Sequence, residues 1–519
     1  MVLTTRAIVA SRCIPETFTD FNLPGVLTVS IDTNVVTNWA VYIPPGTPGA
    51  NSSSHGAGID FCNVTVTTTH SGWDDHINTE VWLPLENWNQ RLQMSGGGGL
   101  WTGRLIQQMN NSLIGNYAVV STDGGHYQDD PSTWGLSAPG NVNLYNLLDF
   151  SSLALYEAAV IGKSVVTDFY AEPPAFSYFV GCSTGGRQGL MFAQRYPDVF
   201  DGIIAAAPAI RFNFAIIAGF YPLISLLEEG TFPRQCELDA LVKATVEHCD
   251  PLDGVVDGII SSPELCKVDP YALIGTPVPC GDTDVNLTWA AARGADLAWN
   301  PAQGYPTEFW PGFATGTPLF GILNTTCSGR SGECDGVPFL PLVQWAQYFL
   351  KKELKFDWHN LTTDELYSFL SSPENKLYES FIATNDPDLS AFRDAGGKMI
   401  TWHGLADQYI PPSMSRTYYD SVTELDPNVT HFYRYFQAPG VQHCLGGNGP
   451  FPVGGGLASL IAWVENGTPP DVLEAVSPQP PASVEYHRPI CKYPCRAGYK
   501  GQGDLTQSEN WECRNMLGK

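Results

Sequence analysis

The stretch from Ala175 to Gly189, Ala-Phe-Ser-Tyr-Phe-Val-Gly-Cys-Ser-Thr-Gly-Gly-Arg-Gln-Gly, constrains the fold more than any other part of the chain. An aromatic and β-branched run ends at Val180, and an apolar helical pattern begins at Leu190. Between them lies Gly181-Cys-Ser-Thr-Gly185. Strand, tight turn and helix, with a serine at the turn, is the setting of a nucleophile elbow. Glycines on either side let the chain turn sharply and keep side chains off the Ser183 hydroxyl. A Gly-rich start to an ordinary helix is the competing reading, and the rest of the chain has to choose between them.

At 519 residues the chain exceeds one small core, so a large domain with a second region is expected. It carries 53 acidic and 27 basic residues, a net charge of -26. Nucleic acids and anionic membrane surfaces both require clustered Lys and Arg, so neither is expected as a partner. No segment has the apolar length of a membrane span. Thirteen cysteines suit an oxidising compartment better than a reducing cytosol. Glycosylation sequons at Asn51, Asn63, Asn110, Asn286, Asn324, Asn360, Asn428 and Asn466 point the same way. The first ten residues lack a signal peptide's apolar region. Cysteines and sequons therefore carry the expectation of a secreted glycoprotein.

Strand and helix patterns alternate through the first part of the chain. Short strands and turns are expected from Cys13 to about Pro84, including Ile59–Thr67 and Asn78–Leu83. Arg91–Met94 runs into Ser95-Gly-Gly-Gly-Gly99, and Tyr117–Ser121 reads as a buried strand. Leu144–Tyr170 reads as one long helix. The elbow and Phe200–Pro208 follow. This alternation predicts an α/β architecture with a mostly parallel sheet. It stops after Pro208 and returns at Gly397–His403 and His431–Phe436. Residues 209–389 are therefore expected to form an inserted lid, with 1–208 and 390–519 building the catalytic core.

A serine nucleophile needs a base, and the base needs an orienting carboxylate. In the α/β-hydrolase plan these follow in the order serine, acid, histidine, each on a loop after a strand. Asp407 follows the strand ending at His403, and His443 follows the strand ending at Phe436, so Ser183, Asp407 and His443 form the expected triad. Cys182 precedes the serine and Cys444 follows the histidine. If these two are bonded, their Cα atoms lie about 5.5 Å apart and covalent geometry holds nucleophile and base together. Two unrelated buried thiols is the alternative. An acyl-transfer site also needs N–H donors for the oxyanion. The Thr184 amide supplies one, and the Gly-rich loop the other, with Gly98 favoured and Gly97 next.

A further cluster is Cys249-Asp-Pro-Leu-Asp-Gly-Val-Val-Asp-Gly-Ile259-style in layout, with Asp250, Asp253 and Asp257 on one tight loop. Hard oxygen ligands at this density suit Ca²⁺, although the spacing is not that of an EF-hand. An exposed acidic turn is the alternative.

With these residues in view, the chain resembles the fungal tannase and feruloyl esterase family from about Cys62 to Cys513. Carrying the resemblance are Gly181–Gly189, Asp201–Pro208, Asp250–Gly258, His403–Asp407 and Gly440–Cys444. It implies an α/β-hydrolase core with a large inserted lid, and a secreted serine carboxylesterase whose nucleophile and base are joined by a disulfide. It implies structural Ca²⁺ held by the side chains of Asp250, Asp253 and Asp257 and the carbonyls of Val255 and Ile259, with no organic cofactor. It also implies bridges Cys249–Cys266, Cys491–Cys513, Cys13–Cys62 and Cys327–Cys334, with Cys236–Cys280 leaving Cys495 unpaired. The substrate implied is a phenolic ester, feruloyl first and galloyl second. Relatives acting on a terephthalate monoester use a lid arginine to which neither Arg293 nor Arg330 aligns. A catalytically silent binding protein on the same fold is the rival from another class. In the lid, Trp299, Tyr305, Phe309, Trp310 and Phe313 either stack on the phenolic ring or form the lid's own core.

Overall fold

The computed structural model describes residues 9–19, 21, 23–42, 55–126, 130–328, 333–477 and 486–515. Its main sheet contains β1 (Val26–Tyr42), β2 (His55–His70), β3 (Ile77–Pro84), β4 (Arg91–Ser95), β5 (Ala118–Thr122), β6 (Phe176–Cys182), β7 (Gly202–Ala206), β8 (Lys398–Gly404) and β9 (Tyr433–Ala438). In space the order is β1-β2-β3-β5-β4-β6-β7-β8-β9. The first three strands pair antiparallel with one another and β3 pairs antiparallel with β5; from β5 onward every pairing is parallel.

Sequence pattern accounts for this division. On β2, Cys62, Val64, Val66 and Thr68 point inward and alternate with half-exposed Asn63, Thr65 and Thr67, as a sheet with one wet face requires. Strands β6 to β9 are instead almost uninterrupted buried runs, because helices cover both faces. The core helices are α1 (Ile106–Ile114), α2 (Leu144–Ser151), α3 (Leu153–Tyr170), α4 (Thr184–Arg195), α5 (Pro412–Leu425) and α6 (Leu457–Asn466).

Two local expectations change. The region before Pro84 holds two long strands, β1 of 17 residues and β2 of 16, rather than a series of short ones. Their Thr- and Val-rich sequences suit a pleated, half-exposed ribbon, which needs no helix to cover it. The expected helix from Leu144 to Tyr170 breaks at Ser152, whose φ of −162° leaves the helical region. That break makes α2 and α3 separate elements.

Chain order reverses where β4 lies between β5 and β6, the kind of switch point at which open α/β sheets bind ligands. Ser95 pairs in register with Val180, so the Gly-rich loop leaves β4 beside the turn that leaves β6. Between β7 and β8 the chain forms helices and two small hairpins, Pro277–Cys280 with Thr283–Asn286 and Asn324–Cys327 with Cys334–Val337. No described residue of this insertion joins the main sheet. It packs Leu223, Ala291, Trp299, Trp310, Trp345 and Phe349 into a cluster that continues onto Trp134, Leu147 and Phe150 before the insertion and Ile410 after it.

Candidate active site

Ser183 sits between the last residue of β6 and the first turn of α4, with φ 64° and ψ −122°. A non-glycine residue held there is strained, and such strain persists only where the surroundings over-determine it. Close approach supplies the constraint. A Cβ on Gly181 would lie 2.5 Å from the Gly185 carbonyl group, and one on Gly185 would lie 2.9 Å from the Gly97 carbonyl oxygen. The turn therefore requires glycine at both places for space alone.

The Gly-rich loop is fastened to α4 by a residue the sequence reading overlooked. Buried Gln188 accepts a hydrogen bond from the Gly97 N–H (2.9 Å) and donates one to the Thr102 carbonyl (2.8 Å). The Gly185 N–H donates to the Gly97 carbonyl at 3.1 Å. These bonds correct one expectation, because the Gly97 N–H is engaged by Gln188 and is not free for an oxyanion. Gly98 follows in the turn, its carbonyl accepting from the Trp101 N–H at 2.9 Å. Gly99, one residue further, lines the same cavity as Ser183, Thr184 and His443, and its carbonyl accepts from the Thr184 hydroxyl at 2.6 Å.

Asp407 and His443 come from the loops after β8 and β9. Parallel pairing of Gly404 with Ala438 places those loops side by side. His443 Nδ1 lies 2.7 Å from Asp407 Oδ2, and the Gln408 side chain accepts the His443 backbone N–H at 3.1 Å. Asp407 Oδ1 accepts the N–H groups of Tyr409 and Ile410, each at 2.9 Å.

A second imidazole also reaches this carboxylate. His403 is fully buried, and its Nε2 lies 3.0 Å from Asp407 Oδ2 and 3.2 Å from the Ile410 carbonyl. A carbonyl only accepts, so Nε2 carries the proton. Ser415 Oγ closes the other side of the ring, 2.8 Å from Nδ1. Burial alone would raise the Asp407 carboxyl, but the His443 charge and the hydrogen bonds from both histidines outweigh it. The carboxyl is held well below the usual range and stays ionised. With Nδ1 of His443 bound to an ionised carboxylate, Nε2 is left as the nitrogen able to take a proton.

Cys182 and Cys444 are bonded, with their Cα atoms 5.9 Å apart. Cys444, like Ser183, has a positive φ (60°), so the bond joins two strained turns. All the other expected bridges are present: Cys13–Cys62, Cys236–Cys280, Cys249–Cys266, Cys327–Cys334 and Cys491–Cys513. Cys495 has no bridge.

The family model described as "Tannase and feruloyl esterase" matches residues 62–297 and 341–514. That is well over half of the sequence. The chain belongs to the tannase and feruloyl esterase family. A probable feruloyl esterase of Arthroderma benhamiae is 36% identical over 470 residues, covering 89% of this chain and 87% of that protein. Feruloyl esterase C of Talaromyces stipitatus is 32% identical, covering 92% of each. Among solved structures, tannin acyl hydrolase from Aspergillus niger superposes with a TM-score of 0.84 at 27% identity, covering 98% of this chain and 94% of that one. Feruloyl esterase B from Aspergillus oryzae gives 0.75 at 27% identity, covering 95% and 97%. As a member of this family the chain is a carboxylic ester hydrolase.

Beyond Ser183, Thr184 and His443, the walls of this family member's cavity are largely apolar. Phe212, Ile216, Ile322, Phe339 and Leu342 of the insertion meet Tyr409 and Ile410 of the Asp407 loop. The aromatics singled out from sequence lie elsewhere: Trp299, Phe309, Trp310 and Phe313 are buried in the apolar cluster the insertion shares with the core domain, and half-buried Tyr305 packs on Phe309 and Tyr367. Arg293 pairs with Glu229 and Asp296, away from the cavity, while Arg330 lies outside the described residues.

The Asp250–Ile259 loop turns its three carboxylates largely onto its own backbone N–H groups. Asp250 accepts the N–H groups of Asp257, Gly258 and Ile259. Asp253 Oδ1 accepts from Val255, while its Oδ2 is buried and receives no hydrogen bond. Asp257 pairs with Arg488. One arginine against three acids, and an orphaned carboxylate oxygen, leave an excess of hard oxygen ligands of the kind that suits Ca²⁺.

Proposed function

We propose that the chain hydrolyses feruloyl and related hydroxycinnamoyl esters of plant cell-wall polysaccharides outside the cell. Ser183 attacks the ester carbonyl while His443, oriented by Asp407, takes its proton. Amides of Thr184 and of the Gly98 turn hold the oxyanion, His443 returns the proton to the departing alcohol, and water releases the acid by the reverse sequence.

The observation that carries the choice of acid is the apolar lining of the cavity. A feruloyl ring presents a methoxy group and a single hydroxyl, and suits walls of Phe212, Ile216 and Phe339. A galloyl ring presents adjacent hydroxyls on every available side. Burying a hydroxyl without a partner costs about 1–3 kcal/mol. The names of the curated relatives agree with the feruloyl reading, whereas the likeness to tannin acyl hydrolase keeps galloyl esters as the second one. Rates on methyl ferulate, methyl caffeate, methyl sinapate and methyl gallate, with Ser183→Ala as the blank, test it. Methyl ferulate is expected to exceed methyl gallate at least tenfold in kcat/KM. The opposite ranking overturns the substrate, and an active Ser183→Ala protein overturns the mechanism.

Six disulfides support an oxidising destination. No helix among the described residues is long and apolar enough to cross a membrane. Ca²⁺ would be held by Asp250, Asp253 and Asp257 with the carbonyls of Val255 and Ile259, and its role would be to close the loop rather than to act on the ester. A Ca²⁺-selective chelator is then expected to lower Tm in the parent protein and leave Asp253→Asn unaffected. An equal response in both proteins removes the assignment.

A further inference from the structure

A second polar cluster lies buried in the core, where β2 ends. His70 closes β2, Asp75 stands in the turn that follows, Asp149 belongs to α2 and Glu157 to α3. None is more than 7% exposed. His70 Nδ1 lies 2.5 Å from Asp75 Oδ2, and Nε2 lies 2.8 Å from Glu157 Oε1. Asp75 Oδ1 is further held by the His70 N–H and the Thr69 hydroxyl. Trp73 covers the imidazole at 4.4 Å, and Tyr145 covers Trp73 in turn.

Donors in this cluster do not match its acceptors. Asp149 Oδ1, Asp149 Oδ2 and Glu157 Oε2 are all buried, and none receives a hydrogen bond. A carboxylate oxygen of Asp149 lies within 4.8 Å of one of Asp75, a spacing of two buried carboxylates that calls for a proton or a cation. Three carboxylates face a single imidazole, so even an imidazolium leaves an excess of negative charge. One added proton would satisfy one of the bare oxygens. A divalent cation, with its waters, satisfies several together.

We propose that His70, Asp75 and Asp149 form a binding site for a first-row divalent cation of the Mn²⁺ or Zn²⁺ class. The ligand atoms of these three residues all lie within 4.8 Å of one another, and among the described residues this is the grouping of that kind. One imidazole with carboxylates suits such ions better than an all-oxygen cage would. Glu157, on the other ring nitrogen, takes the outer position that fixes a ligating histidine's orientation. The bound ion ties the end of β2 to α2, whose Ser151 carbonyl accepts from Arg187 of α4 at 2.8 Å. It therefore braces the helix that opens at Ser183.

The full chain is stripped with a chelator and titrated with Mn²⁺, with free ion followed by electron paramagnetic resonance. The proteins compared are the parent, Asp149→Asn and Asp253→Asn. The parent and Asp253→Asn are expected to bind Mn²⁺ at this site and to gain at least about 2 °C in Tm at a hundredfold excess over Kd. Asp149→Asn is expected to bind one ion fewer and to lose that gain. Equal binding by Asp149→Asn and the parent overturns the site, as does a stripped parent that takes up neither Mn²⁺ nor Zn²⁺. If Asp149→Asn does not fold, crystals of the parent soaked in Mn²⁺ decide. An anomalous peak between His70, Asp75 and Asp149 supports the site, and its absence overturns it.

Discussion

His403 shows how much of this site depends on residues that never meet substrate. Asp407 Oδ2 sits between two imidazoles, and each contributes a donor to a fully buried carboxylate. Hydrogen bonds to a charged group are worth about 1.5–3 kcal/mol, so removing one should cost on the order of 10–150-fold if it is fully felt in the transition state. His403→Leu is therefore expected to lose kcat by roughly that factor with KM little changed. His403→Gln, which keeps an N–H donor, is expected to recover part of the loss. A fall in KM and kcat together, with no difference between the two variants, would make His403 a packing residue only. His403 was in view from the sequence, inside the stretch ending at Asp407, yet nothing in its spacing revealed a second partner for the acid. The placement of Ser183, Asp407 and His443 after successive sheet strands was legible because each follows a strand pattern in a fixed order. Gln188 and His403 were not, because their roles depend on the direction of a buried side chain.

At the scale of elements, a covalent clamp joins the turn after β6 to the loop after β9. Cys182 and Cys444 are 262 residues apart, and closing a loop of that length removes much of the unfolded chain's freedom. Replacing both cysteines with alanine is expected to destabilise the protein by about 3–5 kcal/mol. It is also expected to lower kcat, because His443 then loses its covalent tether and keeps only its contacts with Asp407, Gln408 and Tyr409. Denaturant unfolding and ester kinetics on the same preparation read the two effects. Unchanged values in both would show that the elbow and the histidine loop hold their places without the bond. This link was legible because the two cysteines adjoin Ser183 and His443, the expected nucleophile and base. The cavity walls were not, since Phe212, Ile322, Phe339 and Tyr409 come from four separate stretches of the chain. Aromatic content points to Trp299 and Trp310, but both are buried in the apolar cluster between insertion and core, where a tryptophan is more economically placed than against a ligand.

For the whole molecule, the consequence is a pH profile controlled by one group. A carboxyl whose folded pKa lies below its unfolded value contributes stability that is fully present above the unfolded pKa of about 4 and lost as pH falls through the folded pKa. For Asp407 that loss falls below the usual carboxylate range, because His443 and His403 both favour its ionised form against the cost of burial. Across the acid side of an activity profile Asp407 therefore keeps its charge and adds no break of its own. A plot of log kcat/KM against pH should fall with a slope of one and show no second break down to about pH 4. In His403→Leu the carboxylate has lost a donor in the same dry surroundings, so its pKa rises toward the assay range. The acid limb should then steepen toward a slope of two. The two profiles are compared where circular dichroism shows both proteins folded. A slope of two in the parent would mean that Asp407 takes up a proton within the assay range, and that the paired imidazoles do not hold its charge.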